Sequence, residues 1–291
     1  MSNDPVGLIG AGLLGQSLAH CLLQSGNQVI GFDLDPQRCQ DLQSQGAVTV
    51  EDATGVSQQC RTIFLSLPDS TVVAQVISTI QPELRAGDII IDTTTGSPAD
   101  TRVISQRLAG QEVTYLDATI VGSSVQVRSR DGMMLIGGHA KAVSQCQPLL
   151  EAVSKQYLHL GTSGSGATMK LIVNLVLGLN RAALAEGLSL ATACGMDGQQ
   201  VLDVLRQGPA YSTVMDTKGS KMVLEEFAAE ARLAQHLKDV QLIRQLGVEN
   251  EHPLPLSQVH QERLERAVQL GYGAADNSAV IMASHDRRAP E

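Results

Sequence analysis

Residues 5–15 read "PVGLIGAGLLG", and the fold turns on them. Residues 6–9 form an apolar run about as long as one strand. Gly10, Gly12 and Gly15 then set a G-x-G-x-x-G spacing, and residues 13–24 continue with apolar positions at helical intervals. Alone this spacing is a weak signal; a strand before it and a helix after it give it weight. Gly10 permits a tight turn, Gly12 lets the backbone approach a bound phosphate, and Gly15 lets the helix lie close to the strand. The N–H groups of Leu13 and Leu14 open the helix, where unsatisfied donors and the helix dipole favour an anion. The stretch predicts a βαβ unit that holds a pyrophosphate.

Working outward, short apolar runs recur at 28–33, 47–50, 62–67, 88–92, 113–117, 132–137 and 156–160, with room for crossover helices between the early ones. Several are continuously apolar, as expected of strands covered on both faces. After "GTSGSG" (161–166) the strands stop. Helical periodicity takes over at 166–194, 198–207, 222–246, 255–270 and 276–284, punctuated by Gly and Pro. The expected architecture is an α/β Rossmann domain, a doubly wound and mostly parallel sheet, over residues 1–162. An all-α domain for substrate and oligomerisation follows over 163–291.

Composition narrows the function. Of 291 residues 43% are hydrophobic and 18% charged, which suits a globular protein rather than a disordered one. The net charge of -9 and an aromatic content of 2% argue against a nucleic-acid partner, which calls for a basic face and stacking platforms. The five cysteines lack C-x-x-C spacing and read as reduced thiols of a cytoplasmic protein. No basic leader precedes the first strand. The apolar stretch 171–180 is about half a membrane span and is bracketed by Lys170 and Arg181, so it reads as a buried helix and no membrane is expected. The histidines show no metal-ligand spacing, so no metal is expected.

The second apolar run ends in "GFDLDP". Asp33 lies 18 residues beyond Gly15, where a carboxylate would accept hydrogen bonds from a ribose and repel a 2′-phosphate. NAD is expected over NADP, with NADP open because Arg38 stands one helical turn away. Lys170 and Asn174, four apart in "GATMKLIVN", share one face of a helix. On spacing alone the pair reads as catalytic, or as a snorkelling lysine beside a packing amide.

Further stretches carry a resemblance. "FLSLPDS" (64–70), "IDTTTGSP" (91–98), "GSGATMKLIVN" (164–174), "HLKDV" (236–240) and "GYGAADNSAV" (271–280), together with the glycine loop, are similar to segments of the β-hydroxyacid dehydrogenases. That family includes 3-hydroxyisobutyrate dehydrogenase, tartronate semialdehyde (2-hydroxy-3-oxopropionate) reductase and glyoxylate/succinic semialdehyde reductases. The resemblance spans nearly the whole chain. It implies an NAD(P)-dependent oxidoreductase that interconverts a small 3-hydroxy acid and its semialdehyde. Lys170 is the implied general acid/base, and Asn174 is implied to hold the substrate. Leu67, Pro68, Thr95 and Lys238 are implied cofactor contacts. Asp276 reads as structural, a cap for the last helix.

The substrate loop departs from the family. It reads "DATIVGSS" (117–124), with Val121 in place of the usual Ser. Gly122, Ser123 and Ser124 can still form a backbone nest with hydroxyls beside it, so a small carboxylate-bearing substrate remains expected. Arg128 and Arg130 read as solvated charges or as approaches to an anionic substrate. The departure leaves open an imine reductase-like enzyme on the same fold, against which Lys170 counts, and a non-catalytic nucleotide-binding module. Residues 166–194 are apolar on more than one face, which predicts a homodimer or homotetramer.

Overall fold

The structure, a computed structural model, describes residues 4–285. The chain forms two compact units, one up to Lys170 and one from Leu171 onward. The first unit holds an eight-stranded sheet: β1 (Val6–Ile9), β2 (Val29–Phe32), β3 (Val48–Thr49), β4 (Thr62–Leu65), β5 (Ile89–Asp92), β6 (Thr114–Val121), β7 (Met133–Gly137) and β8 (Gln156–Gly161). Their order across the sheet is β3-β2-β1-β4-β5-β6-β7-β8. All pairs are parallel except β6–β7.

The strands are short and apolar because both faces are covered. Val6, Leu8, Phe64, Ile89 and Ile91 enter one buried cluster. Their neighbours Ile9, Ile63, Leu65 and Ile90 point the other way into a second. Burying such a side chain fully contributes about 1.5–3 kcal/mol, so alternate residues on both faces anchor each strand. The order reverses at β1/β4, and the loop after β1 leaves the sheet at that switch point.

Two sequence expectations are corrected here. β6 runs on to Val121, where the apolar pattern suggested an end at 117, because β7 pairs antiparallel with Asp117 through Val121. In the second unit the expected helix 222–246 is broken. Helix Ser220–Leu224 ends at Glu225, which is left-handed at φ 54°, and a new helix, Leu233–Glu249, begins after extended chain. The Ala- and Glu-rich linker favours a helix by propensity, but tertiary hydrogen bonds hold it open. Asp276 accepts the Glu230 and Ala231 N–H groups, Asp276 donates its own N–H to Phe227 O, and Asn277 donates to Ala231 O.

The remaining helices of this unit include Gly198–Gln207 and Pro255–Ala267. Leu184, Leu188, Leu202, Val240 and Leu264 lie in its core. The long helix Ser165–Ala193 contains the boundary between the units, immediately after Lys170. By length and apolarity it could cross a membrane, yet it buries Asn174 and Arg181.

Candidate active site

The glycine loop has the geometry its spacing predicts. Gly10 adopts φ 95°, and a Cβ there would lie 2.3 Å from Ser66 O; a Cβ on Gly15 would lie 2.1 Å from Gly10 O. A Cβ on Gly12 would meet nothing within 4 Å, so this glycine faces open space. Gly12 is the N-cap of helix Leu13–Gln24 and no side chain caps that end. An uncapped helix start beside an open glycine fits a dinucleotide phosphate.

Asp33 follows β2. Its carboxylate accepts the Ala11 N–H at 2.7 Å and the Asp35 N–H at 2.9 Å, which ties the end of β2 to the glycine loop. Arg38 lies 3.5 Å from both Asp33 and Asp35, so its charge is shared between two carboxylates. Leu67 and Pro68 follow β4, and the Leu67 N–H donates to Thr94 Oγ1 at 3.1 Å beside Thr95. Thr95 follows β5, and Gly122, Ser123 and Ser124 follow β6. The strands β2, β1, β4, β5 and β6 are adjacent and parallel, so these predicted residues leave the sheet at one edge.

The substrate loop is narrower than a free nest. Gly122 takes φ 139°. Ser123 forms a capping box with Gln126: its N–H donates to Gln126 Oε1 at 2.8 Å and its hydroxyl accepts the Gln126 N–H at 3.3 Å. That N–H is therefore engaged. Arg130, in the left-handed region, donates to Ser25 Oγ, and both Arg128 and Arg130 are exposed.

The long helix is fixed to the sheet at its first turn. Asp117, in β6 and 2% exposed, accepts the Gly164 N–H at 2.8 Å and the Ala167 N–H at 2.9 Å. A Cβ on Gly166 would lie 2.5 Å from Leu135 O and 2.6 Å from Asp117 O, so only glycine lets the helix come this close. One turn on, the Lys170 ammonium donates to Ile120 O at 2.6 Å, one residue before Val121 and the substrate loop. Asp92 and Asp117 face each other across β5 and β6. Burial pushes the Asp92 carboxyl up to about 6, against hydrogen bonds from Thr94 and Tyr115. Burial likewise raises Asp117 despite the N–H groups it accepts.

Within the helical unit, the buried Asn174 amide donates to Asp239 Oδ2 at 2.9 Å, and Lys238 Nζ lies 3.3 Å from Asp239 Oδ1. A carboxylate only accepts, so the Asn174 NH₂ faces it and the carbonyl oxygen is turned away. Gly178, one turn beyond Asn174, leaves no open space beside this pair. A Cβ there would lie 2.7 Å from His236 Nε2 and 3.0 Å from His260 Nε2. Asp276 caps the segment Asn277–Ile281 through the Ser278 N–H, as expected of a structural residue. Asp117 as a helix anchor, Asp239 as the partner of Asn174, and the histidines against Gly178 were not evident as such from the sequence. The signals were the family likeness of "HLKDV" and the i, i+3 spacing that puts His236 and Asp239 on one helix face.

Two family descriptions match the chain. "NAD binding domain of 6-phosphogluconate dehydrogenase" covers residues 5–161, and "NAD-binding of NADP-dependent 3-hydroxyisobutyrate dehydrogenase" covers 164–284. The chain belongs to the β-hydroxyacid dehydrogenase family. A 2-(hydroxymethyl)glutarate dehydrogenase of Eubacterium barkeri is 29% identical over 280 residues, 95% of this chain and 93% of the relative. A 2-hydroxy-3-oxopropionate reductase of Escherichia coli K12 is 28% identical over 281 residues, 96% of each chain. A crystal structure of 3-hydroxyisobutyrate dehydrogenase from Salmonella typhimurium superposes with a TM-score of 0.88 at 26% identity, over 96% of this chain and 99% of that one. This β-hydroxyacid dehydrogenase is an NAD(P)-dependent oxidoreductase of the class acting on CH–OH groups, and its cofactor is a nicotinamide dinucleotide.

Proposed function

We propose that this enzyme interconverts a small 3-hydroxy acid and its semialdehyde, with Lys170 as general acid/base. The observation that carries the reading is the place of Lys170. Its ammonium rests against Ile120 O, beside the loop that follows β6 and on the helix that Asp117 anchors. Gly10, Gly12, Leu13, Leu14, Gly15 and Asp33 would hold the adenosine and pyrophosphate part of the cofactor. Leu67, Pro68, Thr95 and Lys238 would lie along its nicotinamide half. When bound, the nicotinamide accepts a hydride from the substrate carbon or returns one to it.

The protein supplies the proton. In oxidation the substrate hydroxyl gives its proton to the neutral Lys170 amine as the C–H electron pair leaves; in reduction the ammonium returns it to the carbonyl oxygen. A positioned acid of this kind contributes roughly 10²–10⁴-fold. Asn174, turned by Asp239, offers its carbonyl oxygen to the substrate hydroxyl. Gly122, Ser123 and Ser124 receive the carboxylate, chiefly through hydroxyls, because the Ser123 N–H is engaged. NAD is the preferred cofactor, since the Asp33 carboxylate would repel a 2′-phosphate.

The enzyme acts as a homodimer or homotetramer in the cytoplasm. Met169, Ile172, Val176 and Leu190 are exposed on the long helix and form a stripe that a second copy would cover. The test is Lys170→Ala, with turnover followed by nicotinamide absorbance and nucleotide binding by calorimetry. The substrates are tartronate semialdehyde, succinic semialdehyde, 3-hydroxyisobutyrate and a cyclic imine. A fall of about 10²–10⁴-fold with binding intact is expected. Near-normal turnover, or activity on the imine alone, would end this reading.

A further inference from the structure

The sheet carries a buried carboxylate to which the proposed reaction gives no role. Asp92 closes β5, and Thr93, Thr94 and Thr95 follow it out of the sheet. Asp92, Tyr115 and Asp117 are all buried, and Asp117 stands directly across from Asp92 on β6. The hydrogen-bond partners of Asp92 are the neutral groups of Thr94 and Tyr115. Burial, and then the Asp117 charge, disfavour its ionised form. A carboxylate placed where the fold disfavours its charge is a candidate for function rather than for stability.

Its partners show what it holds. Asp92 Oδ1 accepts the Thr94 N–H at 2.9 Å, and Thr94 gives it a side-chain hydrogen bond as well. The Tyr115 hydroxyl donates to Oδ2. An ionised carboxylate only accepts, so the Thr94 hydroxyl turns its hydrogen toward Asp92 and leaves its lone pairs for another donor. That donor is the Leu67 N–H, 3.1 Å from Thr94 Oγ1. Two more bonds stitch the same loops: the Thr93 hydroxyl donates to Leu65 O at 2.8 Å, and the Ser97 N–H donates to Ser70 Oγ at 2.7 Å. A Cβ on Gly96 would lie 2.4 Å from Ser70 Oγ, so the two loops touch there. On the other side, a Cβ on Gly10 would lie 3.0 Å from Leu67 Cδ2, so Leu67 abuts the glycine loop. The loops after β1, β4 and β5 thus form one packed layer, with the Asp92 charge beneath it.

We propose that Asp92 is a positioning residue for the cofactor: through the Thr94 hydroxyl and N–H it fixes Leu67 and the Thr95 segment where the nicotinamide half is received. The proposal rests on the reading above in which Leu67, Pro68 and Thr95 lie along that half. In the same reading Asp117 anchors the helix of Lys170, so the facing carboxylates of β5 and β6 divide the work. Asp92 holds the hydride side of the reaction and Asp117 the proton side.

The experiment uses the full chain. Calorimetry measures binding of NADH and of ADP-ribose, which lacks the nicotinamide, to the wild type, Asp92→Ala, Thr94→Val, Thr94→Ser and Thr95→Ala. Amide exchange at Leu67 is followed alongside. Asp92→Ala and Thr94→Val should each weaken NADH about tenfold, the worth of one hydrogen bond, and ADP-ribose by less than about twofold. The Leu67 amide should exchange about tenfold faster in both. Thr94→Ser restores the hydroxyl and should bring NADH affinity back to within about twofold of the wild type. Thr94→Val serves if Asp92→Ala does not fold, because valine matches threonine in shape and leaves the carboxylate in place. A loss shared equally by NADH and ADP-ribose is a general loosening of the fold and overturns the assignment. So does unchanged NADH binding in Asp92→Ala and Thr94→Val while Thr95→Ala weakens it. If Thr95→Ala leaves NADH binding unchanged too, the placement of these loops along the nicotinamide fails, and the assignment falls with it.

Discussion

Removing the Asp117 carboxylate should loosen the helix that carries Lys170. In Asp117→Ala the Gly164 and Ala167 N–H groups, now held at 2.8 and 2.9 Å, lose their acceptor inside the protein. Each buried donor left unmade costs about 1–3 kcal/mol. The change also relieves a cost, because burial raises the pKa of this carboxyl and the charged form is thus disfavoured in place. The balance is a net loss of about 2–4 kcal/mol, concentrated at the start of the long helix. The assay is amide hydrogen exchange at residues 164–170 beside turnover. A local loss of about 2 kcal/mol speeds exchange there by roughly 30-fold, and turnover should fall with it because Lys170 lies one turn beyond Gly166. Unchanged exchange at 164–170 with intact turnover would show that Asp117 does not anchor the helix.

Gly178→Ala should destabilise by up to about 2 kcal/mol: overpacking against the two imidazoles costs roughly 1–3, and the gain in helix propensity returns about 1. A raised midpoint in thermal unfolding would contradict it. Asp92 is a pH test. Its folded value of about 6 lies above the ordinary 3.8, so the folded state holds the proton more tightly and stability from this group is withdrawn as pH rises from about 4 to 6. Asp92→Asn cannot ionise, so its unfolding free energy relative to the wild type should grow by up to about 3 kcal/mol between pH 4 and pH 7; a flat difference in urea titrations would be wrong for this site. Asp33→Ser removes an acceptor and a repulsion together, and the ratio of kcat/KM for NADP over NAD should rise roughly 10–100-fold, the worth of one charged hydrogen bond. An unchanged ratio would remove Asp33 from cofactor choice.

The sheet was legible because its strands are buried on both faces, which writes them as unbroken apolar runs such as "LIG" and "IIID". The helices Leu13–Gln24 and Gly198–Gln207 start and stop at residues that punctuate any sequence. What the sequence hid depends on partners far along the chain. Residues 118–121 are strand only because β7 returns antiparallel beside them. Residues 225–232 are open only because Asp276 and Asn277 bind their backbone. The candidate site divides the same way. Loop residues after β1, β2, β4, β5 and β6 could be placed by following the strands. The Asn174–Asp239 bond and the histidines at Gly178 could not, because they depend on which faces two distant helices turn toward each other.

In the proposed reading, chemistry and assembly fall on one element, the long helix. An ordinary soluble helix buries apolar residues and shows polar ones. This helix buries Asn174 and Arg181 among leucines, while Ile172, Val176 and Leu190 stand 47%, 52% and 65% exposed. A buried polar residue is tolerated when it has a partner, and for Asn174 that partner is Asp239. An exposed apolar stripe is tolerated when something covers it. Neither face is satisfied by the hydrophobic pattern of one chain alone. The proposed chemistry uses the polar face and the proposed assembly the apolar one, so a change on either face should be felt by the other through the single rod they share.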